Sequence, residues 1–570
     1  MALKNSFPIR LNPHAETVLE ERYQLRDSSG QLIETPKEVF LRVAKAIAGV
    51  EKKNRQIWAE CFFEMMGSCR FMPNSPTLMN AGKSEGQLSA CYVLPIEDSL
   101  ESIFDGLKSA AKIHQSGGGT GFSFSRLRPK GSPVRSSNGV ASGPVSFMKI
   151  FDVATETIKQ GGTRRGANMA VLNVDHPDIF EFIEVKLDLK SMTNFNLSVG
   201  ITDEFMLAVR QSQAFWLRDP KTGQRLKEID AKKLFYRLSE AAWRCADPGL
   251  VFLDRMNLFN PTPLEGAFEC TNPCGEQPLL PYESCNLGSL NLGAYCRNRK
   301  FNWELFQKDI HLAVRFLDNV IDANVFPLDP CRKITLKNRK IGLGVMGFAD
   351  LLLKMGIPYV HEEAVKLGEK VMSFLNQQAK AASAELAKKR GAFPNWKKSL
   401  WAQKGVVPLR NATVSTVAPT GTISMIAGAS SGIEPIFSAV FFRNVLNGKR
   451  LLEIHPAVQE LILEKGLSVD GVTDELVAKE LGDVWCPAQK VPFEVHVKVQ
   501  AAFQRHSDSA VSKTINFPQS ATVEDVAQAY LLAYELGCKG ITVYRDQSRP
   551  TQVLENRNSS SGEGQICPSC

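Results

Sequence analysis

Apolar positions fall at helical spacing over residues 36–50 and again over 55–69, where Ile57, Cys61, Phe62 and Met65 line one predicted stripe. Thr35, Pro36 and Glu38 read as a capping box with proline at the first helical position. From Phe71 to about Arg545 the pattern changes. Short apolar runs at 169–174, 196–201, 412–417 and 540–544 predict strands. Helical periods between them predict helices at 99–115, 145–160, 231–245, 303–324, 362–389 and 523–536. Strands alternating with helices argue for an α/β body. No internal repeat is visible. Residues 547–565 hold the run Asn558-Ser559-Ser560-Ser561-Gly562 and read as a flexible linker. The predicted organisation is a helical segment over 1–70, an α/β body over 71–545 and a flexible tail over 546–570 that ends in Cys567-Pro568-Ser569-Cys570.

Composition narrows the class. The chain has 570 residues, 44% hydrophobic and 22% charged, an ordinary mixture for a globular enzyme. A net charge of +8 over this length suits small anionic substrates and gives no argument for DNA or membrane binding. The first residues lack the apolar core of a secretion signal. No stretch reaches the roughly 18 uninterrupted apolar residues of a membrane span. Thirteen cysteines without such a signal point to a reducing cytoplasm, where they act as thiols, ligands or catalytic groups. The eight histidines show no metal-ligand spacing, so no metal site is expected.

Asn272-Pro273-Cys274-Gly275-Glu276 concentrates the chemistry. In an extended segment side chains alternate faces, so Asn272, Cys274 and Glu276 would share one. That face would hold a hydrogen-bonding amide, a sulfur centre and a base. The plainer alternative is an inert buried cysteine in a small-residue turn. Cys285 follows within Ser284-Cys285-Asn286, and Cys91 opens an apolar run after Ser89-Ala90. Glycine-rich loops at 116–121, at 160–166 with Arg164 and Arg165, and at 418–423 can each bring N–H or guanidinium groups against a phosphate. Gly342, Gly344 and Gly347 match the dinucleotide fingerprint, with Glu362 at a suitable distance beyond. Residues 333–340 before them are too basic for the buried strand that motif needs. A close-packed turn between strand and helix is therefore expected there, rather than the cofactor site of a nicotinamide dehydrogenase.

Taken in order, Ser75-Pro76-Thr77-Leu78-Met79-Asn80-Ala81-Gly82 with Cys91, then Asn272-Pro273-Cys274-Gly275-Glu276, Ser284-Cys285-Asn286-Leu287-Gly288 and Pro419-Thr420-Gly421-Thr422 resemble ribonucleotide reductase over about 71–545. The likeness is greatest to class II, the adenosylcobalamin-dependent type. It implies a ten-stranded α/β barrel with a central finger loop carrying Cys274. It implies adenosylcobalamin (vitamin B12) as cofactor and a thiyl radical on Cys274. Glu276 would be general base for the 3′-hydroxyl and Asn272 would orient the sugar. Cys91 and Cys285 would become a disulfide as a ribonucleotide becomes a 2′-deoxyribonucleotide. The substrate's phosphates would lie on Ser75 and on Pro419, Thr420, Gly421, Thr422 and Ile423, with Ala90, Cys91 and Gly119 near the sugar. Asp98, Ser99, Leu100, Arg126, Arg164 and Arg165 would form a site for deoxynucleoside triphosphate or ATP effectors at a homodimer interface. Cys567 and Cys570 would relay electrons from thioredoxin or a glutaredoxin-type reductant. The family's tail usually holds more cysteines, and half of a zinc ribbon is the rival reading of this pair.

Tyr544 in Ile541-Thr542-Val543-Tyr544-Arg545 is a single tyrosine where class I large subunits carry two for long-range radical transfer. The Cys91/Cys285 pair argues against the formate-using class III. The region before Phe71 reads as too short for an ATP cone. The alternatives are a class I large subunit served by a separate radical-generating subunit, and a nucleotide-binding relative without catalysis. The sequence leaves diphosphate and triphosphate substrates equally open.

Overall fold

The structure, a computed structural model, describes residues 9, 11–134, 138–160, 164–444, 450–469, 471–549 and 554–556. Three helices, Pro13–Arg22, Pro36–Ala48 and Arg55–Gly67, precede the sheet. The capping box forms as expected: Glu38 N–H donates to Thr35 Oγ1 (3.3 Å) and Thr35 N–H to Glu38 Oε2 (2.7 Å). The predicted stripe of the third helix needs correction. Ile57 is 55% exposed, and the buried face is Ala59, Phe62, Phe63, Met65 and Met66. Phe62 decides the orientation, because its ring packs edge-on against Phe316 of the body at 5.1 Å.

Ten strands form the main sheet. In chain order they are β1 (Phe71–Pro73), β2 (Cys91–Leu94), β3 (Gly119–Ser123), β4 (Asn168–Asn173), β5 (Phe195–Ile201), β6 (Gly249–Phe252), β7 (Ser284–Asn291), β8 (Ile341–Met346), β9 (Thr514–Phe517) and β10 (Gly540–Arg545). Strands β2 to β6 run parallel in that order. Antiparallel seams join β2 to β7 and β6 to β10. β7 pairs in parallel with β8, and β9 with β10. β1 lies antiparallel on the later half of β7. Helices Leu100–Gln115, Pro144–Thr157 and Ala231–Cys245 accompany the first parallel set, and Trp303–Ala323, Glu362–Arg390 and Val523–Glu535 the second. Covered on both faces, β2, β3, β6, β7 and β8 are buried at every position.

The strand expected at 412–417 is not a continuous one. Leu343 bridges Ser415 and Val417 bridges Val511, both in parallel, so it is this segment's single bridges that link β8 to the chain just before β9. Its hydroxyls take acceptors a regular ladder would use: Thr413 Oγ1 donates to Ile341 O (3.2 Å), and Thr416 Oγ1 to Ala510 O and Glu276 O (both 3.0 Å).

The fingerprint glycines also differ from expectation. Gly342 and Gly344 lie inside β8, and only Gly347 (φ +73°) forms the turn into helix Phe348–Met355. A Cβ on Gly344 would sit 2.4 Å from Thr416 O, so glycine here permits close strand packing. The basic residues before it are buried because they are paired: Arg339 with Asp318 and Asp322 (2.8 Å each), Lys340 with Glu283 (2.5 Å). Among the described residues no helix is long and apolar enough to cross a membrane.

Candidate functional site

A short hairpin enters the barrel. Its arms, Cys270–Thr271 and Pro278–Leu279, pair antiparallel and carry residues 272–277 between them. Glycines in β3 admit it: a Cβ on Gly121 would lie 1.8 Å from Thr271 O, and one on Gly119 would lie 3.0 Å from Pro273 Cγ. The run 116–121 therefore makes room for this finger, and its residues from Gly117 to Gly121 are buried.

The finger is a tight turn and not the extended segment expected. Gly275 N–H donates to Asn272 O (3.0 Å) with Gly275 at φ +82°, and Asn272 N–H donates to Gln277 O (3.2 Å). Gln277 N–H closes the loop on Asn272 Oδ1 (3.0 Å). The turn still gathers two of the three side chains on one target. Asn272 Nδ2 donates to Cys91 Sγ (3.1 Å), and the Cys91 thiol lies 3.9 Å from Glu276 Oε1. Asn272 and Glu276 are each 2% exposed. The turn is pinned from outside by Asn196 Nδ2 on Pro273 O (2.8 Å), and by Thr416 Oγ1 and the Ala510 N–H on Glu276 O.

Cys274 is exposed at the tip. It lines a cavity of about 540 Å³, together with Pro273, Gly275, Pro419, Phe437 and Asn516. Beneath the tip, Cys91 and Cys285 are direct cross-strand partners of β2 and β7. Both are buried and neither is in a disulfide. Burial pushes the Cys285 thiol well above its usual range, and its Sγ contacts Asn286 O (3.3 Å) and Lys340 O (3.7 Å). Ala90 and Gly119 flank Cys91: Ala90 N–H donates to Cys285 O (3.3 Å), and Gly119 N–H to Ala90 O (2.9 Å).

Ser75 opens helix Ser75–Asn80, capped by Asn74 Oδ1 on Thr77 N–H (2.9 Å). Thr420, at φ +59°, precedes helix Gly421–Ala427, and its Oγ1 accepts from Gly432 N–H (2.7 Å). The amides of Gly421, Thr422 and Ile423 lie in the first turn, where helical N–H groups have no intrahelical acceptor. Both segments are touched by N-terminal residues that the sequence pattern did not single out. Arg22 Nη1 donates to Thr422 Oγ1 (3.0 Å), and Tyr23 Oη is hydrogen-bonded to Ser75 Oγ (2.8 Å). Nothing in the spacing of residues 13–23 signals this, because the contact is purely tertiary.

The effector candidates divide. Ser99 caps helix Leu100–Gln115, and Leu100 is 63% exposed at its start. Asp98 is held by Arg128, whose Nε lies 2.8 Å from Asp98 Oδ2; Arg128 was missed two positions beyond Arg126. Arg126 itself is ion-paired with Glu97 and Glu269. Lys159–Gln160 and Arg164–Arg165 pair as a hairpin backbone; residues 161–163 and the side chains of Arg164 and Arg165 lie outside the described residues, as do Cys567 and Cys570.

The chain matches the family model described as ribonucleotide reductase, barrel domain, over residues 89–408 and 404–544, and the model of its all-alpha domain over residues 9–86. It is 47% identical to the vitamin B12-dependent ribonucleoside-diphosphate reductase of Thermoplasma acidophilum, over 97% of this chain and 81% of that one. It is 46% identical to the protein of the same description from Mycobacterium tuberculosis strain H37Rv, over 96% and 79%. A ribonucleoside-diphosphate reductase subunit alpha of Chlamydia pneumoniae is 26% identical, over 91% and 58%.

Proposed function

The chain belongs to the ribonucleotide reductase family, and from that premise we propose that it is the vitamin B12-dependent enzyme, reducing ribonucleotides to 2′-deoxyribonucleotides for DNA synthesis and repair. One observation carries the mechanistic reading. A single buried turn sets the amide of Asn272 and the carboxylate of Glu276 around Cys91, opposite Cys285, and leaves Cys274 on a cavity wall. The choice of the B12-dependent class over a class I large subunit rests on the 46–47% identity to B12-dependent relatives, against 26% to a subunit alpha.

The cavity suits the cofactor's adenosyl group in size, since binding sites for such ligands measure about 300–1,000 Å³. Its apolar wall at Phe437 and Phe441 and its polar groups at Gln489 and Asn516 would hold it beside Cys274. When bound, adenosylcobalamin supplies the radical that takes the hydrogen atom of the Cys274 thiol. The Cys274 thiyl then takes the ribose 3′ hydrogen, a transfer that can run both ways because S–H and C–H bonds are similar in strength. Glu276 accepts the 3′-hydroxyl proton, and Asn272 holds the sugar by hydrogen bonds. The 2′-hydroxyl leaves as water on taking a proton from the Cys91–Cys285 thiol pair, whose other hydrogen goes to C2′. Cys91 and Cys285 give up their two hydrogens, supply two electrons and close a disulfide. Cys274 then returns its hydrogen to C3′, and Glu276 returns its proton to the 3′ oxygen. The phosphates rest on Ser75 and on the Pro419–Ile423 loop.

The same reading assigns Asp98, Ser99, Leu100, Arg126, Arg164 and Arg165 to a deoxynucleotide or ATP effector site. It makes the protein a homodimer through helices Leu100–Gln115 and Pro144–Thr157. Leu100, Phe104, Ile150 and Val153 on those helices are 63%, 49%, 38% and 66% exposed, apolar area that a second copy would cover. Cys567 and Cys570 would pass electrons inward from thioredoxin or glutaredoxin. The test is reduction of cytidine diphosphate by the purified chain with adenosylcobalamin and a dithiol. Wild type should form deoxycytidine diphosphate, and Cys274→Ser should form none at an unchanged melting temperature. Product from the serine variant would remove Cys274 from its role.

A further inference from the structure

We infer that Arg22, on the N-terminal helix, binds the outer phosphate of a ribonucleoside diphosphate and so sets how many phosphates the enzyme reads. This rests on the phosphate site proposed above. That site is built from Ser75 and Pro419, Thr420, Gly421, Thr422 and Ile423, none of which carries a charge. A diphosphate brings several negative charges, and neutral donors meet them less well than a cation does. Arg22 is a cation already in contact with the site, through Nη1 on Thr422 Oγ1 at 3.0 Å.

Its placement is fixed by the fold. Helix Pro13–Arg22 packs on helix Gly421–Ala427. The next residue, Tyr23, is buried and is hydrogen-bonded to Ser75 Oγ, so two consecutive residues land on the two halves of the site. The Tyr23 carbonyl is held by Arg42 Nη2 (3.1 Å). Arg42 in turn donates to Ala81 O (2.7 Å) and pairs with Glu34 (2.7 Å). Gly421 is exposed while Ile423 is buried. The proposed site is therefore open to solvent at Gly421. A guanidinium suits two phosphate oxygens at once, in a way an ammonium does not.

The plainer reading is that Arg22 complements the negative end of its own helix, which ends there. The two readings differ in what they predict for ligands. The experiment is calorimetric binding of cytidine diphosphate and cytidine monophosphate to the full chain, as wild type, Arg22→Gln and Arg22→Lys. Arg22→Gln should weaken diphosphate binding about 10- to 100-fold, the usual worth of a charge-assisted contact, and leave monophosphate binding within about threefold. Arg22→Lys should recover part of the loss. Steady-state KM for the diphosphate should rise in step while kcat holds. The ratio of the two affinities is taken on one preparation, so a lowered melting temperature leaves it readable. Equal weakening of both nucleotides, or an unchanged ratio, overturns the inference. If wild type reduces no ribonucleotide, it is the substrate reading that fails.

Discussion

Cys91 and Cys285 stand directly opposite each other on β2 and β7. Cross-strand partners in an antiparallel ladder have Cα atoms about 4.5–5.5 Å apart, inside the roughly 4.4–6.8 Å that a disulfide spans. The two thiols come from strands belonging to opposite halves of the barrel. Their oxidation needs side-chain rotation and little backbone movement, so the reduced and oxidised enzyme can share one fold.

A pre-reduced sample allowed one turnover should therefore carry a Cys91–Cys285 disulfide in step with product, read by peptide mapping. Cys285→Ser should form product without that bond only where an external thiol completes the reduction. Buried Cys270 packs in the same apolar cluster as Cys91 and Cys285, which makes it the internal control. A main product linking Cys270 to either partner would contradict the assignment.

Glu276→Gln should lower kcat about 10²- to 10⁴-fold, the range for loss of a general base, with KM changed only a few-fold. The turn should survive, because Thr416 and Ala510 hold the Glu276 backbone carbonyl and not its side chain. A kcat within a factor of two of wild type would end the general-base role.

Much of this architecture is legible in the chain because the parts that read clearly are local. Helix Ala231–Cys245 forms over the bounds its period predicts, and the capping box at Thr35 forms. The residues of the finger stand out by their chemistry, yet strand alternation is not what joins them. Asn272 and Glu276 meet at Cys91 through a turn set by Gly275, and not by alternation along a strand. The buried Arg339 and Lys340 misled for a related reason: their partners Asp318 and Glu283 come from other elements. Arg22 and Tyr23 left no trace in the pattern because their partners lie across the fold. Long-range pairing is what a one-dimensional period does not carry.

Gly121→Ala tests whether the finger depends on close approach. The added Cβ would fall 1.8 Å from Thr271 O, a backbone atom that cannot rotate away. The hairpin must shift, and overpacking of this kind costs about 1–3 kcal/mol or more. The variant should melt lower than wild type and lose activity beyond the loss in folded protein, because Asn272 and Glu276 move with Thr271. An alanine variant with wild-type melting and full activity would show that the finger has slack.

Glu51 joins the N-terminal helices to helices Trp303–Ala323 and Glu362–Arg390. It accepts from Arg315 Nε (2.7 Å), Asn319 Nδ2 (2.9 Å) and Arg390 Nη2 (2.6 Å). Burial alone would raise its pKa, but hydrogen bonds from Arg315, Asn319 and Arg390 outweigh it and bring the value from 4.5 down to about 2. The sign follows from the protons bound. As pH falls below about 4.5 the unfolded chain protonates this carboxyl first, so the stabilisation is complete above that value and is lost on the way down to about 2. The gap corresponds to roughly 3 kcal/mol. Glu51→Gln removes the charge and leaves two arginines without it, a loss of about 3–5 kcal/mol at neutral pH. Urea unfolding at a series of pH values should show two effects in the variant. Stability should be lower at pH 7, and the fall between pH 4.5 and 2 should be shallower than in wild type. Parallel curves over that interval would place the acid sensitivity elsewhere, in Asp318 and its arginines (Arg339, Arg390 and Arg410).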